Sequence, residues 1–540
     1  MYGLSRYAGK FSAPKPGSGS NLYNLADFFV GAQSSMELST FRILKYRQRM
    51  NFFYVQDDWK VTPRLTLNLG VRYEYATPQW ERDNRLGNFD PETLSLVFAK
   101  DGSIQDRSTI QPDRNNWAPR VGFAFQANRK TVLRSGYGIS YIHFNRMGGE
   151  NILGFTGPFY FRVTQPQVAP GVPNGGQPLC GPGSDFKSCF TLTQNGYPSN
   201  FIDPAQYSTK TSRVNYQPAD NRTGYVQSWH FTVQRELAKD LVVDLGYVGN
   251  RGVHQLILGD YNQAQPNRPG QNLSLAARRP FKDFSEIQIA FSGGNTFYHG
   301  LQTKIEKRWS KGLYLLNSFT WSKAIDNAAG HLETYNGDNS RINFYNLAGE
   351  RGLSSYDAKF NGVTALIYDL PWGRGRAWGS DWNPMLNAVL GGWRTTLINT
   401  ARSGYPVNIV YSPSSAFQVC SGCSLRPNYT GGELVNADKP IGQFFNKSAV
   451  ALPTDPSQPF GNLGRNVARS HGLWQADFGL YKEFPLWREG SRVEFRSEFF
   501  NLFNRSNFVA PASNASSSNF GTITSTFPAR QIQFALKLYY

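Results

Sequence analysis

The stretch LTLNLGVRYEY places an apolar residue at every second position, Leu65, Leu67, Leu69, Val71, Tyr73 and Tyr75, with Thr66, Asn68, Gly70, Arg72 and Glu74 between them. A period of two means an extended strand with one dry face and one wet face. That dry face must meet either the core of a soluble sandwich or lipid. Because the same pattern returns along the whole chain, the choice governs the entire fold.

The strands come in hairpins, and the connections alternate between very short and very long. Asn51 to Val61 passes through Thr62-Pro63-Arg64 into the strand above, and a long irregular stretch follows to about residue 116. Trp117 to Ala127 and Thr131 to Tyr141 form the next pair, then Tyr225 to Leu237 with Leu241 to Gly249. Thr296 to Arg308 pairs with Leu313 to Lys323, Lys359 to Leu370 with Leu390 to Ala401, and Gln475 to Phe484 with Ser491 to Phe503. Gln531 to Tyr540 closes the series. Keeping every short turn on one side requires Ile287 to Phe291 to join the crossing that holds Thr296, with Gly293-Gly294-Asn295 as a bulge. About 13 crossings result from residue 51 onward, and Ser5 to Phe11 is expected to add one more. Short turns on one rim and long loops on the other are the layout of a membrane-spanning antiparallel barrel. The fold class expected is all-β, an antiparallel transmembrane β-barrel with about 14–16 strands present.

Composition narrows the alternatives. No run approaches the eighteen or so apolar residues of a membrane-spanning helix, and mean hydropathy is −0.46. A barrel survives both facts, because half of each strand faces a polar interior. The formal charge of +18 raises the question of nucleic acid, but the cations are spread singly rather than clustered, so none is expected as a partner. The four cysteines fall as two close pairs in Gly/Pro/Ser-rich stretches, Cys180 with Cys189 and Cys420 with Cys423. They suit local disulfides in an oxidising compartment. A four-thiolate zinc site is the alternative, although C-x-x-C occurs once and no histidine lies nearby. No cofactor is expected.

The wet face carries ladders of mixed charge. Arg492, Glu494, Arg496 and Glu498 share one parity, as do Gln302, Lys304, Glu306 and Arg308, and as do Arg72 and Glu74. If the apolar parity faces lipid, these residues face a hydrated lumen or a polar plug. In a soluble sheet they would be ordinary cross-strand pairs. The chain's end favours lipid: Ile532, Phe534, Leu536, Leu538 and Tyr540 alternate up to a terminal aromatic, a form that resembles the C-terminal signal by which barrel-assembly machinery recognises outer-membrane proteins, although Ala535 stands where such signals often carry Gly. Trp59, Tyr75, Trp321, Trp372, Trp393 and Tyr539 near strand ends fit interfacial girdles.

Several blocks resemble a known family. FFYVQDDWKVTPRLTLNLGVRYEY, YHGLQTKIEKRWSKGLYLLNSFTWSKAID, the LPWGRG turn, GNLGRNVARSHGLWQADFGLYKEF, RSEFFNLFNRSNFVAP and FGTITSTFPARQIQFALKLYY are similar to the barrel of TonB-dependent outer-membrane receptors, the Oar-like group above all. The resemblance implies a barrel of about 22 strands, plugged by an N-terminal domain and energised by an inner-membrane TonB complex. No signal peptide, plug or TonB box is read in residues 1–540, which are therefore expected to be the C-terminal barrel part of such a receptor. An intact smaller barrel of 14 strands is the other reading.

The function expected is energised uptake of a bulky solute (siderophore, vitamin, glycan or peptide) across the outer membrane. Loops 77–116, 142–221, 253–286, 324–354, 402–470 and 504–529 would carry the recognition surface. A passive porin and an Oar-like adhesion or signalling protein share the same strand pattern. An enzyme is disfavoured: the six histidines are scattered, and no H-E-x-x-H, G-x-S-x-G or P-loop stands out.

Overall fold

In a computed structural model of the chain, the structure describes residues 2–13, 21–40, 43–143, 152–157, 159–160, 162–167, 191–197, 201–202, 214–327, 343–420, 423 and 425–540. Alternating residues form strands wherever the period-two pattern runs. Thirteen strands lie side by side in one unbroken antiparallel path: β1 (Met50–Thr62), β2 (Leu65–Ala76), β3 (Trp117–Asn128), β4 (Thr131–Ile142), β5 (Gly224–Ala238), β6 (Leu241–Asp260), β7 (Ile287–Ser310), β8 (Leu313–Asp326), β9 (Phe360–Asp369), β10 (Trp393–Arg402), β11 (Leu473–Pro485), β12 (Arg492–Phe500) and β13 (Gln531–Tyr539). Two short strands, Val214–Tyr216 and Gly352–Leu353, pair on β7 and β8 at the long-loop end. Among the described residues no pairing joins β1 to β13, so the sheet ends in two free edges.

Register fixes which residues share a face. Leu65, Phe125, Leu133, Val233, Leu245, Thr303 and Phe319 lie in one row across neighbouring strands. The adjacent row, Thr66, Ala124, Arg134, Thr232, Gly246, Gln302, Thr320, Asn361 and Arg402, points the other way. The apolar face is uncovered over most of the path from β1 to β13: Val121 is 54% exposed, Phe534 67% and Leu536 73%. The buried apolar clusters lie in the long loops, at the loop-side ends of strands and on a small sheet that includes Ser35–Ser39, none of them across the apolar face. A soluble sheet of this size with no second layer would leave an apolar patch far larger than water tolerates. Lipid is the solvent that fits. Asp57, opposite Leu69 on the edge strand β1, is an exception to the outward apolar pattern.

The turns on one rim are two residues long after β1, β3, β5 and β7. Lys311 and Gly312 both hold positive φ, 51° and 77°, in keeping with the twist-matched hairpin turn that joins β7 to β8. β7 runs as one strand through Gly293-Gly294-Asn295, and the register with β6 shifts twice there: the extra residue lies on β6 between Gly252 and Gln255, then on β7 between Phe291 and Gly294, beside the expected bulge.

Three expectations are corrected. The crossing at Ser5 to Phe11 is absent: Tyr2–Arg6 is a five-residue strand pairing with Ser35–Ser39, which in turn pairs with Arg162–Pro166, in a sheet separate from the large one. The strand ends before Gly9, whose φ of 67° turns the chain away. A 14-stranded closed barrel is therefore not formed, since the path has an odd number of strands and open edges. Finally, Leu390 does not open a strand but ends a helix. Among the described residues the α-helices are few: α1 (Asn21–Phe29), α2 (Ile104–Ser108) and α3 (Pro384–Leu390). Among the described residues none is long and apolar enough to cross a membrane, which says nothing of strands.

Candidate functional site

The polar face holds paired charges. On β7 Lys304 Nζ lies 2.8 Å from Glu306 Oε2, and Gln302 shares their parity. Arg308 falls in the bulged stretch between Lys307 and Ser310, where its amide donates to Asp240 O, so register does not assign it to a face. On β12 Arg496 Nε lies 2.6 Å from Glu494 Oε1, Tyr539 Oη donates to Glu494 Oε2 at 2.9 Å, and Tyr481 Oη donates to Glu498 Oε1 at 3.0 Å. Arg492 is 3.2 Å from Glu483. Beside them Arg394 Nε meets Asp369 Oδ1 at 2.7 Å, around a cavity of about 490 Å³ at the short-turn end. At the long-loop end of β2, Arg72 pairs with Glu74, and Glu74 Oε2 is 2.7 Å from His143 Nε2. The His143 ring stacks on Phe52 at 5.2 Å. Charges in a low-dielectric slab require partners or water, and these ladders supply both signs within each strand pair.

The long loops pack on one another rather than standing apart. Phe444, Phe445, Phe520 and Ile523 join the 403–472 and 501–530 segments in one buried cluster. Polar ties reach further. Arg278, beyond β6, donates to Gln418 O at 2.6 Å and Gln265 O at 2.8 Å, and desolvation lowers its pKa. Arg426 grips Glu350 at 2.8 Å, and Arg465 lies 2.6 Å from Asp326 with both buried. β6 and β10 are separated by three strands in the sheet, so these loops bridge across its long-loop end.

An uncovered apolar band, a charge-paired opposite face and a tied loop layer now stand together. The model of one family, the outer membrane beta barrel domain, matches residues 2–533. The chain belongs to that family. This outer-membrane barrel is similar to the outer membrane transporter YddB from Escherichia coli at 10% identity and a TM-score of 0.46, over 91% of this chain and 45% of that one. It is similar to the siderophore receptor PirA from Acinetobacter baumannii at 11% identity and a TM-score of 0.41, over 91% and 46%. For the ferric citrate transporter FecA in unliganded form the identity is 10% and the TM-score 0.40, over 96% and 47%. The chain thus spans less than half the length of these solved proteins. Among curated proteins none matches.

In this outer-membrane barrel Cys420 and Cys423 are joined in a disulfide within a buried loop cluster. Cys180 and Cys189 lie outside the described residues. Ile532, Phe534, Leu536 and Leu538 occupy the apolar face of the free edge strand β13, and Tyr540 follows it, exposed. Sequence reasoning missed His143 as the partner of Glu74, because 69 positions separate them and only the fold brings them together. It also missed His471, whose ring packs 5.0 Å from Phe444 and 5.1 Å from Phe508 at the base of the loop layer.

Burial holds the His471 pKa below the ordinary imidazole value. A histidine with a depressed folded pKa contributes stability above the unfolded value, near 6.5, that is lost as pH falls through the folded pKa. The protection factors of the Phe444 and Phe445 amides, taken against the intrinsic exchange rate at each pH, are therefore expected to fall between pH 7 and pH 5, and His471→Phe should flatten that dependence. An identical pH response in the variant would rule out His471 as its source.

Proposed function

We propose that this barrel is the C-terminal part of a TonB-dependent receptor of the Oar-like group, and that it carries a bulky, scarce solute across the outer membrane by binding, gating and transfer rather than covalent chemistry. The observation that carries the reading is the charge-paired polar face beneath long loops tied across the end of the sheet. A mouth covered by packed loops calls for gated entry, and a ladder of paired charges offers successive polar contacts along the way in. On this reading Arg72, Glu74, Gln302, Lys304, Glu306, Arg492, Glu494, Arg496 and Glu498 line the lumen.

The free edges of β1 and β13 support a larger barrel, of about 22 strands, in which further strands pair with both. The TonB complex would act through an N-terminal part, the outward face would contact outer-membrane lipid, and Ile532 to Tyr540 would guide recognition by the assembly machinery. The substrate class remains within siderophore, vitamin, glycan or peptide.

Cells carrying the full-length protein should take up one of these solute classes saturably, and collapse of the proton-motive force should abolish that uptake. Uptake that rises linearly with concentration and ignores energisation would make the barrel a passive porin. Loss of cell–cell adhesion on deletion, with every solute flux unchanged, would make it an adhesion protein.

A further inference from the structure

One connection on the short-turn rim is long: residues 370–392, between β9 and β10, contain helix α3. Asn383 caps its N-terminus, accepting from the Leu386 amide at 2.8 Å, and Pro384 opens its first turn. Two groups hold the helix, and register assigns both to the apolar, outward face. Trp393 and Lys482 are direct partners, and Lys482 in turn pairs with Phe495. The Trp393 indole donates to Val389 O at 2.9 Å. The Lys482 ammonium donates to the carbonyls of Asn387, Val389 and Gly391 at the helix C-terminus and sits over the rings of Trp393 and Phe484. A lysine on a lipid-facing register is unfavourable on its own. Here carbonyls in the last turn of the helix and at its Gly391 cap, where the negative end of the helix dipole lies, satisfy it. The same bonds fix α3 on the outside of the sheet rather than in its polar interior.

The helix then turns apolar side chains away from the protein: Met385 is 80% exposed and Val389 60%, one turn apart on the same side. Exposed Trp378 lies in the same connection. This surface continues the apolar band of the strands down to the rim. We propose that α3 is an interfacial anchor that lies in the headgroup region of the periplasmic leaflet, with phospholipid as its partner and Lys482 as the clamp that presents it. The inference rests on the membrane-barrel reading above, and its test separates the two.

The full chain would be reconstituted in phosphatidylethanolamine and phosphatidylglycerol vesicles, with an environment-sensitive dye on Met385→Cys, Val389→Cys, Val121→Cys or Glu433→Cys, the last in an exposed loop. Brominated acyl chains should quench the dye at positions 385 and 389 several-fold more than at 433, with emission shifted to the blue. Quenching at 121 but only background at 385 and 389 would overturn the anchor and leave the barrel intact, placing α3 in water or against a protein. Background quenching at all four positions would overturn the membrane reading and the anchor with it.

Discussion

Replacing Val121 by arginine is expected to destabilise the folded protein in lipid vesicles by about 2–4 kcal/mol, the penalty for a cation on the lipid face near the bilayer midplane. Val121 is the fifth residue of the twelve in β3, and it lies between Leu69 and Tyr137 on the apolar face. Asn68→Arg is the matched control. Asn68 lies on the polar face, where its amide already donates to Asp58 Oδ1 at 2.6 Å, so an arginine there gains a carboxylate partner. Its effect should be within about 1 kcal/mol. Val121 is a cleaner site than Leu69, because Asp57 stands directly across from Leu69 on the edge strand and would pair with a new cation. Denaturant titration in vesicles checks the difference, and equal tolerance at positions 121 and 68 would contradict the assignment of faces.

The second large effect is expected in the loops. Arg465 is 1% exposed at its side chain, and its Nη1 reaches Asp326 Oδ1 at 2.6 Å, Asp326 O at 3.1 Å and Glu350 O at 3.3 Å. It thereby fastens the 403–472 segment to the top of β8. Arg465→Ala leaves a buried carboxylate without its cation, a loss of about 3–5 kcal/mol. The damage should be local: hydrogen exchange and proteolysis should accelerate through residues 403–472, while the strand signature in circular dichroism is kept. Arg465→Lys should recover only part of the loss, because a single ammonium cannot reproduce the fork of a guanidinium. Unchanged exchange in Arg465→Ala would show that the loop layer is held by its apolar cluster alone.

What could be read from the sequence follows from how local each signal is. The two faces of β2 are legible because each residue from Leu65 to Tyr75 declares its own side, and register then carries that assignment across the sheet. The bulge-spanning strand β7 was legible for the same reason, once short turns were kept to one rim. Tyr2–Arg6 was misplaced because alternation names a strand without naming its partner, and Ser35–Ser39 carries no mark of the pairing. Helix α3 left a readable signature, Asn383-Pro384 before an apolar turn and Gly391-Gly392 after it, which the surrounding strand pattern masked.

The polar face shows the other limit. Parity grouped Glu494 with Arg496 but could not supply Tyr539 as a third member, nor His143 for Glu74. The loop layer was out of reach altogether, since contacts such as Asn267 with Ala416 or Phe445 with Phe520 depend on where non-neighbouring strands stand in the sheet.

The division of the sheet into a lipid face and a water face is the claim on which everything else depends. Spin labels placed one at a time from Leu65 to Tyr73, in the full chain reconstituted in phospholipid vesicles, test it most directly. Accessibility to oxygen should peak at positions 65, 67, 69, 71 and 73, and accessibility to a water-soluble nickel complex at 66, 68, 70 and 72. A profile with no period of two, or one with the two reagents exchanged, would contradict it.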